Sequence, residues 1–264
     1  MIIGFIGSGV MGSALARAVK KSGLGEVWTA DIDAAKAAAL AAEVEGKASS
    51  NEAIAREADC IFLAVKPQFM EGMLSGIRQI LKDRPSRFTV VSMAAGLTIQ
   101  KLKELLGGDY PLIRIMPNTP ASIGQGVVIY SPDDQVTEEE TEAVVQMLSP
   151  AGKLVKLTEK QLDAGGCISG CGPAFVDLFV EALADGGVLC GLPRKEALEL
   201  AAQMVMGSAA LILDSGKHPG QLKDAFCSPG GTTIEGVRRL EQGAFRADVM
   251  EAVIAAWEKN ARLG

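Results

Sequence analysis

The stretch GFIGSGVMGSALA, residues 4–16, decides how this chain folds. It holds Gly7-Ser8-Gly9-Val10-Met11-Gly12, a G-x-G-x-x-G turn, between the apolar run MIIGFI and a helical pattern. A strand that turns on glycine into a helix is the signature of a dinucleotide-binding crossover. Gly7 permits the tight turn. Gly9 removes the side chain that would keep backbone away from a pyrophosphate, and Gly12 lets helix and strand pack closely. The free N–H groups and dipole of the helix start then favour the anion. Ile6, Gly7, Ser8, Gly9, Val10, Met11 and Gly12 are therefore the first candidate cofactor residues.

The signature requires a second strand, and EVWTAD (26–31) supplies it. Asp31 ends that strand, nineteen residues beyond Gly12, where an acidic side chain accepts hydrogen bonds from the ribose hydroxyls of NAD and repels a 2′-phosphate. No arginine follows closely, which tilts the reading toward NADH over NADPH. Asp31 also reads as a plain cap of the next helix. CIFLAV (60–65), FTVVSMA (88–94) and PLIRIM (111–116) read as further strands, with helical spacing over 10–23, 33–44, 68–83 and 98–108. GVVIY (126–130), a helix near 137–149 and GKLVKL (152–157) close this half. The alternation predicts an α/β, Rossmann-like parallel sheet covered on both faces, over residues 1–158.

In such sheets ligands lie beyond the carboxyl ends of the strands. Ala64, Val65, Lys66 and Pro67 follow one strand, and Met93, Ala94 and Ala95 follow another, so both groups join the cofactor candidates. Lys66 reads equally as a phosphate-binding lysine or a solvated amine. Asn51, at a helix start, reads as a cap or a ligand contact. RIMPNTPASIGQG (114–126) reads as a rigid loop roofing a nicotinamide or as a structural turn.

From residue 159 strand signals stop, and helices punctuated by Gly and Pro continue to 262. The segment 197–213 is apolar on most sides, and such a helix must be covered all round. In a unit of this size a second copy of the chain is the natural cover, with a central helix of a single bundle as the plainer reading.

The totals exclude several classes. Hydrophobic residues make up 48% of the 264, enough for a sizeable core, and the net charge of −6 with no basic run argues against nucleic acid. The five cysteines form no CxxC pair and read as reduced, mostly buried thiols of a cytoplasmic protein. The apolar N-terminus lacks a basic region and does not read as a signal peptide. No run approaches ~18 uninterrupted apolar residues, so no membrane span is expected. The single histidine, His218, excludes multi-histidine zinc sites, and no metal is expected. It stands before Pro219 in a turn and reads as a loop residue rather than a catalytic base.

Two further motifs, SGCGPAF (169–175) and SPGGTT (228–233), place Gly and Pro at helix starts. With GFIGSGVMGSALA, FLAVKPQ, SMAAGLTIQKL, RIMPNTP, EALADGGVLCGLPR, HPGQLKDAFCSPGGTTIEGV and LEQGAFRA they run in order along nearly the whole chain. In this the sequence resembles the pyrroline-5-carboxylate reductases, whose reaction ends proline biosynthesis. The resemblance implies a Rossmann domain, an all-α dimerisation domain over 159–264, and hydride transfer from NAD(P)H to a cyclic imine. It also implies homodimers, often assembled into decamers. Ser228, Gly230, Gly231, Thr232 and Thr233 would then cradle the substrate carboxylate on backbone amides, since no arginine clamp accompanies the motif. Thr233 becomes the hydroxyl near the imine nitrogen, the candidate catalytic residue. The family commonly has Ser where Cys171 stands and Tyr where Phe175 stands, so a tyrosine proton donor is excluded here. Other readings are a reductase of another cyclic imine acid and, in a different class, a non-catalytic dinucleotide sensor. The β-hydroxyacid dehydrogenases need a lysine in the second domain, and 161–193 has none.

Overall fold

A computed structural model describes residues 1–262. Eight strands run through the first part: β1 (Ile2–Ile6), β2 (Glu26–Ala30), β3 (Lys47–Ala48), β4 (Cys60–Leu63), β5 (Thr89–Ser92), β6 (Leu112–Pro117), β7 (Gly126–Pro132) and β8 (Gly152–Lys156). Between them lie α1 (Val10–Ser22), α2 (Ala34–Glu43), α3 (Asn51–Glu57), α4 (Pro67–Asp83), α5 (Ile99–Leu106) and α6 (Glu138–Leu148). Six helices follow: α7 (Glu159–Ser169), α8 (Gly172–Leu189), α9 (Arg194–Ser215), α10 (Pro219–Phe226), α11 (Thr232–Gln242) and α12 (Phe245–Ala261). The chain divides into two compact units, Met1–Gly170 with the end of α12 from Trp257, and Cys171–Ala256.

The sheet has the order β3-β2-β1-β4-β5-β6-β7-β8. Its central strands are buried on both faces, which is why their sequences are nearly continuous apolar runs. One face packs Leu15 and Val19 of α1 with Leu40 of α2 and Met147 of α6, and on it Phe5 and Phe62 stack at 4.5 Å. The other packs Ile54 of α3, Leu74 of α4 and Leu102 of α5. Thr98 caps α5 and Thr137 with Glu140 forms a capping box on α6, so these starts are written locally.

The sheet departs from wholly parallel in one place. β7 runs antiparallel to β6. Residues 118–125 between them hold only a 3₁₀ turn, Thr119–Ile123, too short for the dozen or more residues a parallel crossover needs. The two-residue β3 is too short to leave an apolar pattern in the sequence.

In the second unit the helices bury little within one chain. α9 buries only Ala197 and Ala201, while Leu200, Met204, Met206 and Leu213 are exposed, and α10, α11 and α12 have no buried residue. Two helical stretches, Glu159–Leu189 and Arg194–Ser215, are by length and composition apolar enough to cross a membrane. They pass on mean hydropathy, with Gly, Ser and Asp among their residues, and not as uninterrupted apolar runs. The cysteines are also less buried than expected. Cys60 and Cys167 are buried, Cys227 is half-buried, and Cys171 and Cys190, at the two ends of α8, are exposed. Burial pushes the Cys60 thiol well above its ordinary pKa.

Candidate active site

The strand register brings the cofactor candidates together. Ile6 pairs with Ala30 on one side and with Leu63 on the other, and Leu63 pairs with Ser92. These four residues form one row across the carboxyl edge of the sheet. The ladder continues one step past the row: Gly7 N–H donates to Ala30 O at 2.8 Å, Ala64 N–H to Ile6 O at 2.8 Å, and Met93 N–H to Leu63 O at 3.3 Å. The strand order turns back between β1 and β4, which is where open sheets of this kind form their ligand crevice.

The glycines stand as their spacing requires. Gly7 has φ of +109°, and a Cβ on it would lie 2.5 Å from Ala64 O. A Cβ on Gly12 would overlap the Gly7 carbonyl oxygen and come within 2.9 Å of Ala64 Cβ. Around Gly9 there is open space. Gly9 is the N-cap of α1, no side chain caps the helix, and its first turn has no acid. Bare backbone, unused N–H donors and an open approach fit a dinucleotide pyrophosphate. Ser8 is buried and Val10 exposed, and Ser13 Oγ holds the loop by donating to Ser8 O at 3.1 Å.

Asp31 is not the cap of the next helix. Asp33 is, accepting Ala35 N–H at 3.1 Å. Asp31 instead accepts the Ser8 N–H at 2.7 Å and the Asp33 N–H at 2.9 Å, which sets its carboxylate against the glycine loop. Asn51 is not a cap either: Ser50 takes that role, accepting Ala53 N–H at 3.2 Å. The capping readings of both residues therefore fall. Ile32, beside Asp31, is fully exposed. The sequence does not single it out, because an apolar residue at a strand end reads as core, and only its exposure marks it.

Lys66 is the N-cap of α4, with Pro67 in the first turn where its missing N–H has no helical partner. Lys66 is exposed and makes no ion pair among the described residues. On the neighbouring strand, Ala94 is buried and Ala95 exposed.

In the second unit, Ser228 to Thr233 lead into α11. Gly230 has φ of +68°, and Gly231 is the N-cap, its N–H donating to Ser228 O at 3.0 Å. A Cβ on Gly231 would overlap Ser228 Oγ. No side chain caps α11, and Thr232 and Thr233, its first two residues, are exposed. The nearby arginines are engaged locally, Arg238 with Glu235 and Arg246 with Glu241. His218 caps α10, its Nδ1 accepting Gly220 N–H at 3.1 Å. The lone histidine thus has a structural position.

A glycine-loop crossover on a doubly wound sheet, followed by an all-α unit with an uncapped helix start, defines a nicotinamide-dependent oxidoreductase. A family model described as pyrroline-5-carboxylate reductase dimerisation matches residues 159–263, and one described as NADP oxidoreductase, coenzyme F420-dependent, matches residues 2–96. The pyrroline-5-carboxylate reductase of Escherichia coli (strain K12) is 44% identical over 99% of this chain and 97% of its own length. That of Glycine max is 42% identical over 99% of this chain and 95% of its own. The crystal structure of the Plasmodium falciparum enzyme with NADP bound is 34% identical, with a TM-score of 0.86 over 100% of this chain and 98% of that one. The chain belongs to the pyrroline-5-carboxylate reductase family. It reduces the cyclic imine 1-pyrroline-5-carboxylate to L-proline with NAD(P)H, the last step of proline biosynthesis.

Proposed function

We propose that this reductase prefers NADH and binds its substrate on residues 228–233. Residues 1–158 act as the dinucleotide domain and residues 159–264 as the dimerisation and substrate domain. The observation that carries the cofactor preference is the Asp31 carboxylate, held against the glycine loop by the Ser8 N–H at 2.7 Å. A fixed negative charge there favours ribose hydroxyls and opposes a 2′-phosphate. Gly7, Gly9 and Gly12 with the α1 N-terminus take the pyrophosphate, and the exposed Ile32 offers an apolar face to the adenine. Asn51, Val65, Lys66, Pro67, Met93, Ala94 and Ala95 complete the rim. The relative crystallised with NADP sets the competing expectation.

When bound, the reduced nicotinamide supplies the hydride. The protein's own part is orientation, an effect that for well-aligned reactants reaches ~7–11 kcal/mol. Ser228, Gly230, Gly231 and Thr232 hold the substrate carboxylate, the backbone N–H groups donating to it at the uncapped start of α11. The Thr233 hydroxyl faces the imine nitrogen and steadies the proton that nitrogen must carry once the C=N bond is reduced. Neither His218, which caps α10, nor a tyrosine at position 175 takes part.

The exposed apolar surface of α8, α9 and α12 supports a homodimer, with a decamer of such dimers as the larger assembly. A second copy, rather than lipid, covers α9, in keeping with the dimerisation model that matches this half. Five cysteines, an odd number with no CxxC pair, suit a cytoplasmic protein. The test is nicotinamide absorbance on adding pyrroline-5-carboxylate, with NADH and NADPH in parallel, and light scattering of the same sample. Higher kcat/KM with NADPH would overturn the preference, and a monomer would overturn the assembly.

A further inference from the structure

Three elements of the first unit, β6, α7 and α5, meet at one buried guanidinium. Arg114, in β6, is only 2% exposed. Its Nη1 donates to Glu159 Oε1 at 2.9 Å and its Nη2 to Asp163 Oδ1 at 3.2 Å, both acids lying on α7 one helical turn apart. A cation so deeply buried requires such pairing. The same Glu159 oxygen accepts the Ile99 N–H at 2.6 Å. Ile99 is the first residue of α5, and its N–H is among those that no carbonyl of the helix can reach. Thr98, the N-cap, is committed elsewhere, its hydroxyl accepting the Lys101 N–H at 3.1 Å and its carbonyl the Leu102 N–H at 2.9 Å. Glu159 therefore brings the missing acceptor from 60 residues away, with its charge at the favourable end of the helix dipole.

This bond closes a ring around the loop that follows β5. Arg114 pairs across the sheet with Ser92, the last residue of β5. From Ser92 the chain leaves the carboxyl edge through Met93, Ala94 and Ala95, turns at Gly96 with φ of +75°, and enters α5 at Ile99. The near end of the loop is held by the ladder, where Met93 N–H donates to Leu63 O at 3.3 Å, and by Ala94 N–H donating to Ser92 Oγ at 3.4 Å. The far end is held by Glu159. Arg114 fixes that carboxylate to the strand beside the one the loop leaves, so both ends of residues 93–98 are anchored to neighbouring strands. Of the two acids only Glu159 accepts a bond from α5 among the described residues.

We infer that Glu159 is a positioning residue for cofactor binding: held by Arg114, it grips the first N–H of α5 and so keeps residues 93–98 in place at the cofactor edge. This rests on the assignment of Met93, Ala94 and Ala95 to the cofactor rim. Glu159 acts through Ile99 rather than on the cofactor itself. With the bond made, the loop is set before NADH arrives. Without it the loop populates other arrangements, and the apparent affinity falls with the fraction of molecules that keep the competent one. Saturating NADH draws the loop back, so kcat is spared while KM for NADH rises.

The experiment measures NADH affinity by fluorescence titration, kcat and KM for NADH, and Tm in Glu159→Ala, Glu159→Gln and Asp163→Ala beside the parent protein. Glu159→Ala is expected to weaken NADH binding about 10-fold, the scale of one charge-assisted hydrogen bond, with kcat at saturating NADH near that of the parent. Glu159→Gln keeps an oxygen for the Ile99 N–H and should retain most of the affinity. Asp163→Ala loosens the hold on Arg114 but leaves the bond to α5, so it should lower Tm and leave NADH affinity parental. Ala95→Leu, at an exposed position of the loop, tests the rim assignment: parental NADH affinity there would remove the loop from the cofactor rim, and the role of Glu159 with it. Weaker binding in Ala95→Leu with parental binding in Glu159→Ala would overturn the positioning role alone. So would equal losses of affinity in Glu159→Ala and Asp163→Ala, or in Glu159→Ala and Glu159→Gln, since packing rather than the bond to Ile99 would then be at work.

Discussion

The Asp31 carboxylate and the Ser8 backbone N–H are joined by a 2.7 Å hydrogen bond that ties the end of β2 to the glycine loop. The bond holds a negative charge at the rim of the pyrophosphate cradle, and the second oxygen is kept in place by the Asp33 N–H at 2.9 Å. The charge is thus fixed before any ligand arrives. Replacing it should change which nicotinamide cofactor the protein uses. Asp31→Ser is expected to raise the NADPH-to-NADH ratio of kcat/KM by about 10- to 100-fold, the scale of a like-charge contact worth a few kcal/mol. Steady-state kinetics with both cofactors at saturating imine checks this, and an unchanged ratio would remove Asp31 as the selector.

Gly9 and Gly12 belong to one motif, yet alanine should act differently at each. At Gly12 a Cβ overlaps the Gly7 carbonyl, so Gly12→Ala should lower stability by ~1–3 kcal/mol, the usual cost of overpacking. At Gly9 φ is −74° and the surrounding space is open, so Gly9→Ala should leave stability within ~0.5 kcal/mol of the parent. Its methyl group instead stands where the pyrophosphate approaches, and cofactor affinity should fall. Thermal melts and NADH titration of both variants resolve the pair. Equal losses of Tm would contradict the geometry.

Thr233 is exposed at the second position of α11, and no packing depends on its hydroxyl. Thr233→Ala should therefore leave Tm near the parent while lowering kcat/KM for the imine about 10-fold or more, in line with ~1.5–3 kcal/mol for a hydrogen bond to a charged group. Thr233→Ser should retain most of the activity. If the serine variant is as impaired as the alanine one, the hydroxyl is not the operative group.

Arg87 and Glu140 tie the segment before β5 to α6, with the guanidinium Nε donating to the carboxylate at 2.7 Å. That hydrogen bond holds the Glu140 carboxyl below its ordinary pKa, against some desolvation. A depressed carboxylate pKa adds stability above the unfolded-state value and loses it as pH falls through the folded-state value. The Tm difference between the parent and Arg87→Ala should thus be largest near neutrality and shrink as pH drops below the normal carboxylate range. A difference independent of pH would mean that Arg87 acts through its bond to the Gln135 carbonyl instead.

The dinucleotide unit was legible because its signals are local. Gly7, Gly9 and Gly12 recur at a fixed short spacing directly after an apolar run, and nearly continuous apolar runs report strands buried on both faces. The helix starts at Thr98 and Thr137 are likewise written within three residues of themselves. The start of α11 was legible in the same way, because Pro229, two glycines and two threonines stand directly before an apolar-periodic run. What stayed hidden lies between residues far apart in the chain. Asp31 and Asn51 each read as a possible cap, and folding gave those caps to Asp33 and Ser50.

The residues alone specified a strand-loop-helix crossover and a two-part chain, which follow from periodicity and glycine spacing, while the chemistry of a cyclic-imine reductase was implied by the family resemblance that the ordered motifs carry. Folding settled the partners: Ser8 for Asp31, Ser169 and Val127 for Asn118, Glu159 and Asp163 for Arg114. It also turned β7 antiparallel to β6. A side chain's local neighbours limit its backbone conformation, but a hydrogen bond across 23 or 51 residues exists only once strand register and helix packing have placed donor and acceptor together.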